Sequence, residues 1–360
     1  MPFDTKALTT VGMDIASVRI LRMSLATALS MLFSQIVNWP LSFIAPIFTM
    51  FILALPLPVL SVKNGVKFVL VLVVCAYAGL ALLPFILNQR MVGIGLLAIA
   101  LFHSFYFTAR GGSPVLGAFA TIGLALTTSV GTVSIDAVLG VLQGLTIGAI
   151  FGVTFVWIGH AILPDSCART EMAQAPPAKP EPQEPDLAAA RRNAWRSFVI
   201  VMPVIIWFLL SSASASYLAV MIKVASMGQQ AGLDQTRQAG RSLLFSTFLG
   251  GVGAIIAWQV LSISPSLVMY TLLIGLAGLI MGPKIFKGPG MHPNGATWSY
   301  GLLTMIVILA PAVLDGQVGA SADTAFWSRL SMFILATLYA IGAVFIFDTL
   351  WPPENNDNQK

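Results

Sequence analysis

The stretch VKFVLVLVVCAYAGLALLPFIL, residues 66–87, is apolar apart from Lys67 near its beginning. About twenty apolar residues in a helix are enough to cross the ~30 Å hydrocarbon layer of a membrane. Apolar and polar residues do not alternate along the stretch, as they would in a strand of a membrane β-barrel. The stretch therefore predicts a transmembrane helix.

The whole chain has the same character, since 57% of its 360 residues are hydrophobic and 9% are charged. A soluble domain typically has about 25% charged residues. The net charge of +5 does not indicate a nucleic acid partner, because the basic residues recur between apolar blocks instead of forming one patch. Cys75 and Cys167 are too few for a disulfide framework or a metal site. No cofactor is expected.

Apolar blocks recur along the chain and predict an all-α integral membrane protein of about twelve transmembrane helices. A linker rich in Pro and Glu, residues 164–194, is expected to be flexible and cytoplasmic, and residues 353–360 form a polar tail. The expected spans are 19–39, 41–60, 66–87, 91–109, 114–133, 137–163, 195–212, 216–228, 241–263, 267–282, 296–314 and 324–351.

The basic residues orient these spans. With the N-terminus in the cytoplasm and twelve spans, the basic residues of the connections fall on the cytoplasmic side except for Arg90 and Arg329. This asymmetry follows the positive-inside rule. Joining residues 196–228 into one helix of ~50 Å would remove much of this asymmetry, and such a helix is too long for one comfortable crossing. We therefore expect a multi-pass protein of the bacterial inner membrane with both termini in the cytoplasm.

The two halves of the chain, residues 1–163 and 195–352, resemble each other. LSFIAPIFTM (41–50) aligns with LAVMIKVASM (218–227), which places Pro46 opposite Lys223 and Thr49 opposite Ser226. Further along, Gly79 aligns with Gly253. The sequence therefore predicts two six-helix repeats, and because six is even, both enter the membrane in the same sense as parallel repeats.

Two motifs carry a resemblance to a known family. Arg19-x-x-Arg22 leads into the small-residue helix MSLATALSM, and Arg241 precedes STFLGGVGA in the third span of the second half. In this layout the chain resembles a compact member of the fusaric acid resistance proteins and their aromatic acid exporter relatives. The resemblance implies an inner-membrane secondary transporter subunit that exports organic anions, such as aromatic carboxylates, or toxic compounds. It also implies a periplasmic adaptor (membrane fusion) protein as a partner. Membrane lipid is the other expected partner.

Lys223 is the leading candidate for substrate binding, because an ionisable residue deep in a span is costly and often functional. With Ser226 one turn on, it is predicted to bind an organic anion. Its repeat mate Pro46, beside Thr49, is expected to loosen the matching helix by removing a backbone hydrogen bond. The alternative is that Lys223 extends to the cytoplasmic face and plays no part in binding.

Arg22 and Arg196 stand at the cytoplasmic mouths of the first spans of the two halves. They are predicted to concentrate anions there, although arginines at such positions also serve to fix topology. His103, in the aromatic run HSFYF, is a candidate for proton coupling. His160 and Asp348, at matching ends of the sixth spans, are predicted to form a proton-sensitive pair across the repeat axis. For these three residues a simple hydrogen bond at a helix interface is the alternative.

The remaining patterns separate classes of function. The chain has no nucleotide-binding Gly-x-x-x-x-Gly-Lys-Ser/Thr loop, so an ATP-driven pump would need a separate subunit. Paired carboxylates and nucleophile constellations are missing from the sequence, so an enzyme is not expected. An enzyme that acts on lipid-linked substrates is the least favoured of the alternatives. An anion channel is the main alternative to a proton-coupled transporter. A homo-oligomer is compatible with either.

Overall fold

The computed structural model describes residues 14–164, 187–210, 218–233, 239–317 and 322–351. It has one short antiparallel hairpin among these residues, β1 (Phe286–Lys287) and β2 (Gly290–Met291). The helices, in chain order, are α1 (Ile15–Val37), α2 (Ile44–Leu53), α3 (Val62–Asn88), α4 (Arg90–Ala109), α5 (Pro114–Gly131), α6 (Ile135–Ile162), α7 (Leu187–Leu210), α8 (Leu218–Leu233), α9 (Ala239–Ile263), α10 (Leu267–Ile285), α11 (Gly295–Gln317) and α12 (Ala322–Leu350).

Within the described residues, nine helices are long and apolar enough to cross a membrane. The helices α2 and α5 are apolar but contribute shorter segments. The prediction of an all-α membrane protein with many spans is thereby confirmed. The nine long helices are α1, α3, α4, α6, α7, α9, α10, α11 and α12.

Four helices form the interior of the bundle. Every residue of α2 is buried, as are residues 117–130 of α5, 220–229 of α8 and 299–310 of α11. The outer helices instead expose large apolar side chains such as Leu70 on α3, Phe248 on α9 and Leu335 on α12. An extended apolar outer surface around a buried inner bundle is what immersion in lipid favours.

Most helix–helix contacts in the first half have a counterpart in the second half. In the first half, α3 packs against α4, α5 and α6, and α6 packs against α1, α2 and α5. In the second half, α9 packs against α10, α11 and α12, and α12 packs against α7, α8 and α11. Between the halves, α1 packs on α10 and α4 on α7, while α2 meets α11 and α5 meets α8. Adding six to a helix number converts the first-half neighbours named here into the second-half ones, although α8 also packs against α9 and α11 where α2 has no comparable contact with α3 or α5.

Two boundaries differ from the sequence-based expectation. The span expected over 41–60 contains a helix that ends at Leu53, because Pro56 and Pro58 follow and proline disfavours helical backbone at and before its position. Conversely, α7 begins at Leu187, inside the range expected to be linker, since LAAARR is rich in strong helix formers. Residues 165–186 of the expected linker and the expected tail 353–360 lie outside the described residues.

Candidate functional site

Lys223 lies in the interior of the bundle, on α8. Its side chain is 1% exposed, and its ammonium donates a hydrogen bond to Thr304 Oγ1 of α11 at 2.6 Å. In the described part of the chain no carboxylate lies within ion-pair distance of this ammonium; the ion pairs found there belong to Asp348. The structure therefore contradicts the alternative in which Lys223 extends to the surface, and the partner that it gives the Lys223 amine is a neutral hydroxyl.

Thr304 is the partner that sequence reasoning missed. Its hydroxyl donates to the carbonyl of Tyr300 at 2.7 Å, which leaves lone pairs for the Lys223 ammonium. Behind it, α9 approaches closely at Gly250, where an added Cβ would lie 2.5 Å from Thr304 Cβ and 2.5 Å from Gly301 O. A threonine inside an apolar span is common, so the sequence carried no signal that singled Thr304 out.

Polar side chains continue along α8 at a spacing of three residues. Ser226 is buried and donates to the carbonyl of Lys223 at 2.7 Å, so its hydroxyl is used within the helix. Gln229, also buried, donates from Nε2 to Thr121 Oγ1 of α5 at 3.2 Å. Lys223, Ser226 and Gln229 thus give α8 a polar face that meets both α11 and α5, and Gln229 was not predicted.

Thr49 and Pro46 lie on α2, apart from this polar face. Thr49 Oγ1 bonds to the Ala45 carbonyl at 3.0 Å, to Ser30 Oγ of α1 at 3.2 Å and to the Gly152 carbonyl of α6 at 3.2 Å. Its bonds therefore join three helices of the first half. Pro46 occupies the first turn of α2, where a backbone N–H has no partner within the helix. The expectation that Pro46 loosens this helix is therefore wrong.

The arginines of the second half form an ion-pair cluster with Asp348 of α12. Arg196 Nη2 lies 2.5 Å from Asp348 Oδ2, and Arg192 Nη2 lies 2.9 Å from Oδ1. The Arg196 side chain is 1% exposed and that of Asp348 16% exposed. Arg192 also donates to the carbonyl of Trp351. Asp348 is thus held by two arginines of α7, in its own half of the molecule.

The matching place in the first half has a cavity of about 20 Å³ lined by Arg19, Arg22 and His160. Arg19 Nη1 donates to the Pro289 carbonyl, in the turn of the β-hairpin, at 2.5 Å. His160 Nδ1 lies 2.9 Å from the Val156 carbonyl of its own helix. The predicted pair across the axis is therefore replaced by two separate clusters, because His160 stays beside Arg19 and Arg22 while Asp348 binds Arg192 and Arg196.

His103 lies on the outer surface of α4. Its ring is exposed, and Nδ1 is 2.8 Å from the carbonyl of Ile99 one turn earlier. The structure does not bring His103 together with Lys223, His160 or Asp348.

A larger cavity of about 280 Å³ lies at the other end of α1. Gln35 borders it from α1, the connection between α9 and α10 closes it, and Tyr270 and Val313 complete its wall. No acidic or basic side chain lines it among the described residues. The cavity therefore offers apolar walls with a few neutral polar groups.

One comparison with known proteins gives a match. Residues 19–158 match a family described as "Protein of unknown function (DUF2955)", and the matched segment extends from α1 into α6. No curated protein and no solved structure matches the chain. The matched family carries no assigned activity, so the likeness to aromatic acid exporters stays a resemblance.

Proposed function

We propose that this protein is an inner-membrane secondary transporter subunit that exports small organic anions, with Lys223 as the positive charge that meets them. The observation that carries the proposal is the burial of the Lys223 ammonium between α8 and α11 with a neutral hydroxyl as its partner. Aromatic carboxylates are the substrate class that the family resemblance favours.

At Lys223 the cost of desolvation is opposed by the gain from pairing with an anion. A lysine within a membrane span costs about 3 kcal/mol on insertion scales and more in simulations. A hydrogen bond to a neutral hydroxyl recovers part of this cost. An organic anion 4 Å away would contribute about 4 kcal/mol at an effective dielectric near 20. A buried ammonium that is destabilised alone and stabilised by an anion is suited to reversible anion binding.

The proposal includes twelve spans arranged as two parallel six-helix repeats, over residues 1–163 and 195–352, with both termini in the cytoplasm. The repeated order of helix neighbours supports it. So does the contact of Arg19, at the start of α1, with Pro289 in the connection after α10. Under the twelve-span topology these two segments share the cytoplasmic side.

Transport is the direct test of this function. Purified protein is reconstituted into liposomes, and uptake of labelled benzoate and benzenesulfonate is compared with uptake of neutral benzamide. We expect saturable uptake of the two anions above that of protein-free liposomes, no such uptake of benzamide, and acceleration by an imposed pH gradient. At least a tenfold loss of anion uptake is expected in Lys223→Met.

Lys284→Met is the matched control, since Lys284 is exposed near the end of α10 and its removal changes the net charge by the same amount. Equal anion uptake by the wild type and by protein-free liposomes would overturn the proposal. Anion flux that does not saturate and ignores the pH gradient would indicate the channel instead. Loss of uptake only when a periplasmic adaptor gene is deleted in cells would support the adaptor partnership.

A further inference from the structure

The larger cavity lies where the two halves of the molecule meet. Gln35 of α1 borders it from the first half, while the rest of its wall comes from α9, α10, their connection and α11, and α1 packs on α10. Its volume of about 280 Å³ is just below the range of roughly 300–1,000 Å³ that is typical of small-molecule sites. An apolar cavity of ~150 Å³ is enough to hold benzene. The larger cavity therefore has room for a molecule of one or two rings.

The walls of this cavity favour an aromatic molecule. Trp258 of α9 borders it, and the Trp258 ring is stacked on Phe326 of α12, with ring centroids 5.1 Å apart and an angle of 8° between the planes. This stacking fixes the position of the indole. Tyr270 of α10 is a second aromatic side chain in the wall, and Leu261 and Leu267 add aliphatic surface. Contacts between aromatic rings add to the gain from burying apolar surface, so a flat ring is bound better here than an aliphatic chain.

The polar groups of the wall are neutral. Gln35 Nε2 donates to Ser42 Oγ at 3.2 Å, which leaves Gln35 Oε1 as an acceptor. Tyr270 is 1% exposed, and its hydroxyl has no hydrogen-bond partner within the part of the chain that the structure describes. Because a buried hydroxyl without a partner costs free energy, it commonly marks the place of a bound water or ligand. An ion in this cavity would lose hydration without meeting an opposite charge on the described wall residues.

We propose that the larger cavity is a second binding site, which takes an uncharged molecule of one or two aromatic rings that carries a hydroxyl group, such as a naphthol. In this site the rings lie against Trp258 and the aliphatic wall, and the ligand hydroxyl bonds to Gln35 or Tyr270. A lipid acyl chain has no ring for the aromatic wall and no group that would pair with these two side chains.

This site is separate from the one at Lys223. Thr304, the partner of Lys223, and Val313, in the wall of the cavity, lie nine residues apart on α11, which is a rise of about 14 Å. The two places also differ in chemistry, because the first contains an amine and the described wall of the second contains neutral groups. The inference therefore goes beyond the proposed export of anions and does not depend on it.

Protection of a cysteine from labelling tests whether the cavity binds such a molecule. Full-length protein with Cys75→Ser and Cys167→Ser is placed in lipid nanodiscs and treated with a hydrophilic maleimide. Ser262→Cys puts a thiol in the cavity wall, and Ser264→Cys, two residues on, is the matched control outside the wall. Both serines are exposed, so both thiols should react.

We expect 2-naphthol to slow the labelling of Ser262→Cys at least fivefold, with saturation, and to leave the labelling of Ser264→Cys unchanged. Unchanged labelling of Ser262→Cys, or equal slowing at both positions, would overturn the site. Protection should persist when Lys223→Met is added. If protection is found while the wild type does not transport benzoate, the proposed function is refuted and the second site stands.

The choice of ligand tests the chemical class. 2-Naphthoate keeps the rings and adds a charge, whereas decahydro-2-naphthol keeps the hydroxyl and loses the aromatic rings. We expect each to need at least a tenfold higher concentration than 2-naphthol for half-maximal protection. Equal protection by 2-naphthoate would overturn the preference for an uncharged ligand. Equal protection by the saturated alcohol would overturn the aromatic class and favour a lipid chain as the occupant.

The role of the Tyr270 hydroxyl is tested by Tyr270→Phe, which keeps the ring. We expect the concentration of 2-naphthol for half-maximal protection to rise at least threefold. Tyr339→Phe is the matched control, because the Tyr339 hydroxyl donates to the Val199 carbonyl at 2.9 Å, away from the cavity wall. Equal concentrations for the two variants would overturn the hydrogen bond between Tyr270 and the ligand.

Discussion

The two halves of the molecule, α1–α6 and α7–α12, share one order of helix neighbours but differ in their polar side chains. The first helix of the first half carries four buried hydroxyls, from Ser24 to Ser34. Its counterpart α7 continues after Ser197 as FVIVMPVIIWFLL, without a hydroxyl side chain. In the inner helices the difference is reversed, since α8 carries Lys223 where α2 carries Pro46. Helices with corresponding neighbours therefore carry different polar side chains in the two halves.

The two halves also differ at the arginines of their first helices, α1 and α7. In the second half Asp348 pairs with Arg192 and Arg196, whereas in the first half His160 lies beside Arg19 and Arg22 at a small cavity. The hairpin that contacts Arg19 lies between α10 and α11, while the connection between α4 and α5 has no described strand.

The largest expected effect concerns that ion pair. Asp348→Asn removes the carboxylate that lies 2.5 Å from the buried Arg196 guanidinium. Removing one partner of a buried ion pair lowers the free energy of unfolding by about 3 kcal/mol or more. We expect a clear drop in the thermal midpoint of the purified protein in detergent. Asp136→Asn, at an exposed position in the first turn of α6, should leave the midpoint unchanged. Equal midpoints for both variants would contradict a structural role for Asp348.

A smaller effect is expected at the contact between α9 and α11. Gly250→Ala places a methyl group 2.5 Å from Thr304 Cβ and from the Gly301 carbonyl, so the helices must separate, at a cost of about 1–3 kcal/mol. Anion uptake should fall as well, because Thr304 moves away from Lys223. Gly251→Ala is the neighbouring control, since its added Cβ meets Leu330 at 3.5 Å, an ordinary contact. A wild-type midpoint for Gly250→Ala would show that this interface is looser than described.

The smallest effect distinguishes Thr304 of α11 from Thr49 of α2. Thr304→Val removes the acceptor of the Lys223 ammonium and should weaken anion uptake about threefold to tenfold, because a hydrogen bond to a charged group contributes about 1.5–3 kcal/mol, of which water can replace a part. Thr49→Val removes bonds within the first half and should change stability by about 1 kcal/mol without a change in anion selectivity. Identical anion uptake by the two variants would contradict a role in anion binding for Thr304 that Thr49 does not share.

The fold was largely predictable from the sequence because long apolar blocks leave a chain few options in lipid. The end of α2 was missed, although Pro56 and Pro58 carried the signal. Lys223 was predictable because a lysine inside an apolar block is conspicuous, and its burial agrees with that choice. Thr304, and the attachment of Asp348 to α7 instead of to His160, were not predictable, because helix rotation and helix neighbours decide them and a single sequence does not encode either plainly.

The central claim is that the charge of Lys223 binds the transported anion, and the concentration dependence of benzoate uptake in three proteins tests it most directly. Lys223→Met keeps the length of the side chain without its charge, and Lys223→Arg keeps the charge on a larger planar group that does not release its proton. At matched insertion into liposomes, we predict that Lys223→Met loses saturable uptake and that Lys223→Arg retains binding with a maximal rate at least fivefold lower. Uptake curves for Lys223→Met that coincide with those of the wild type over the whole concentration range would contradict the account.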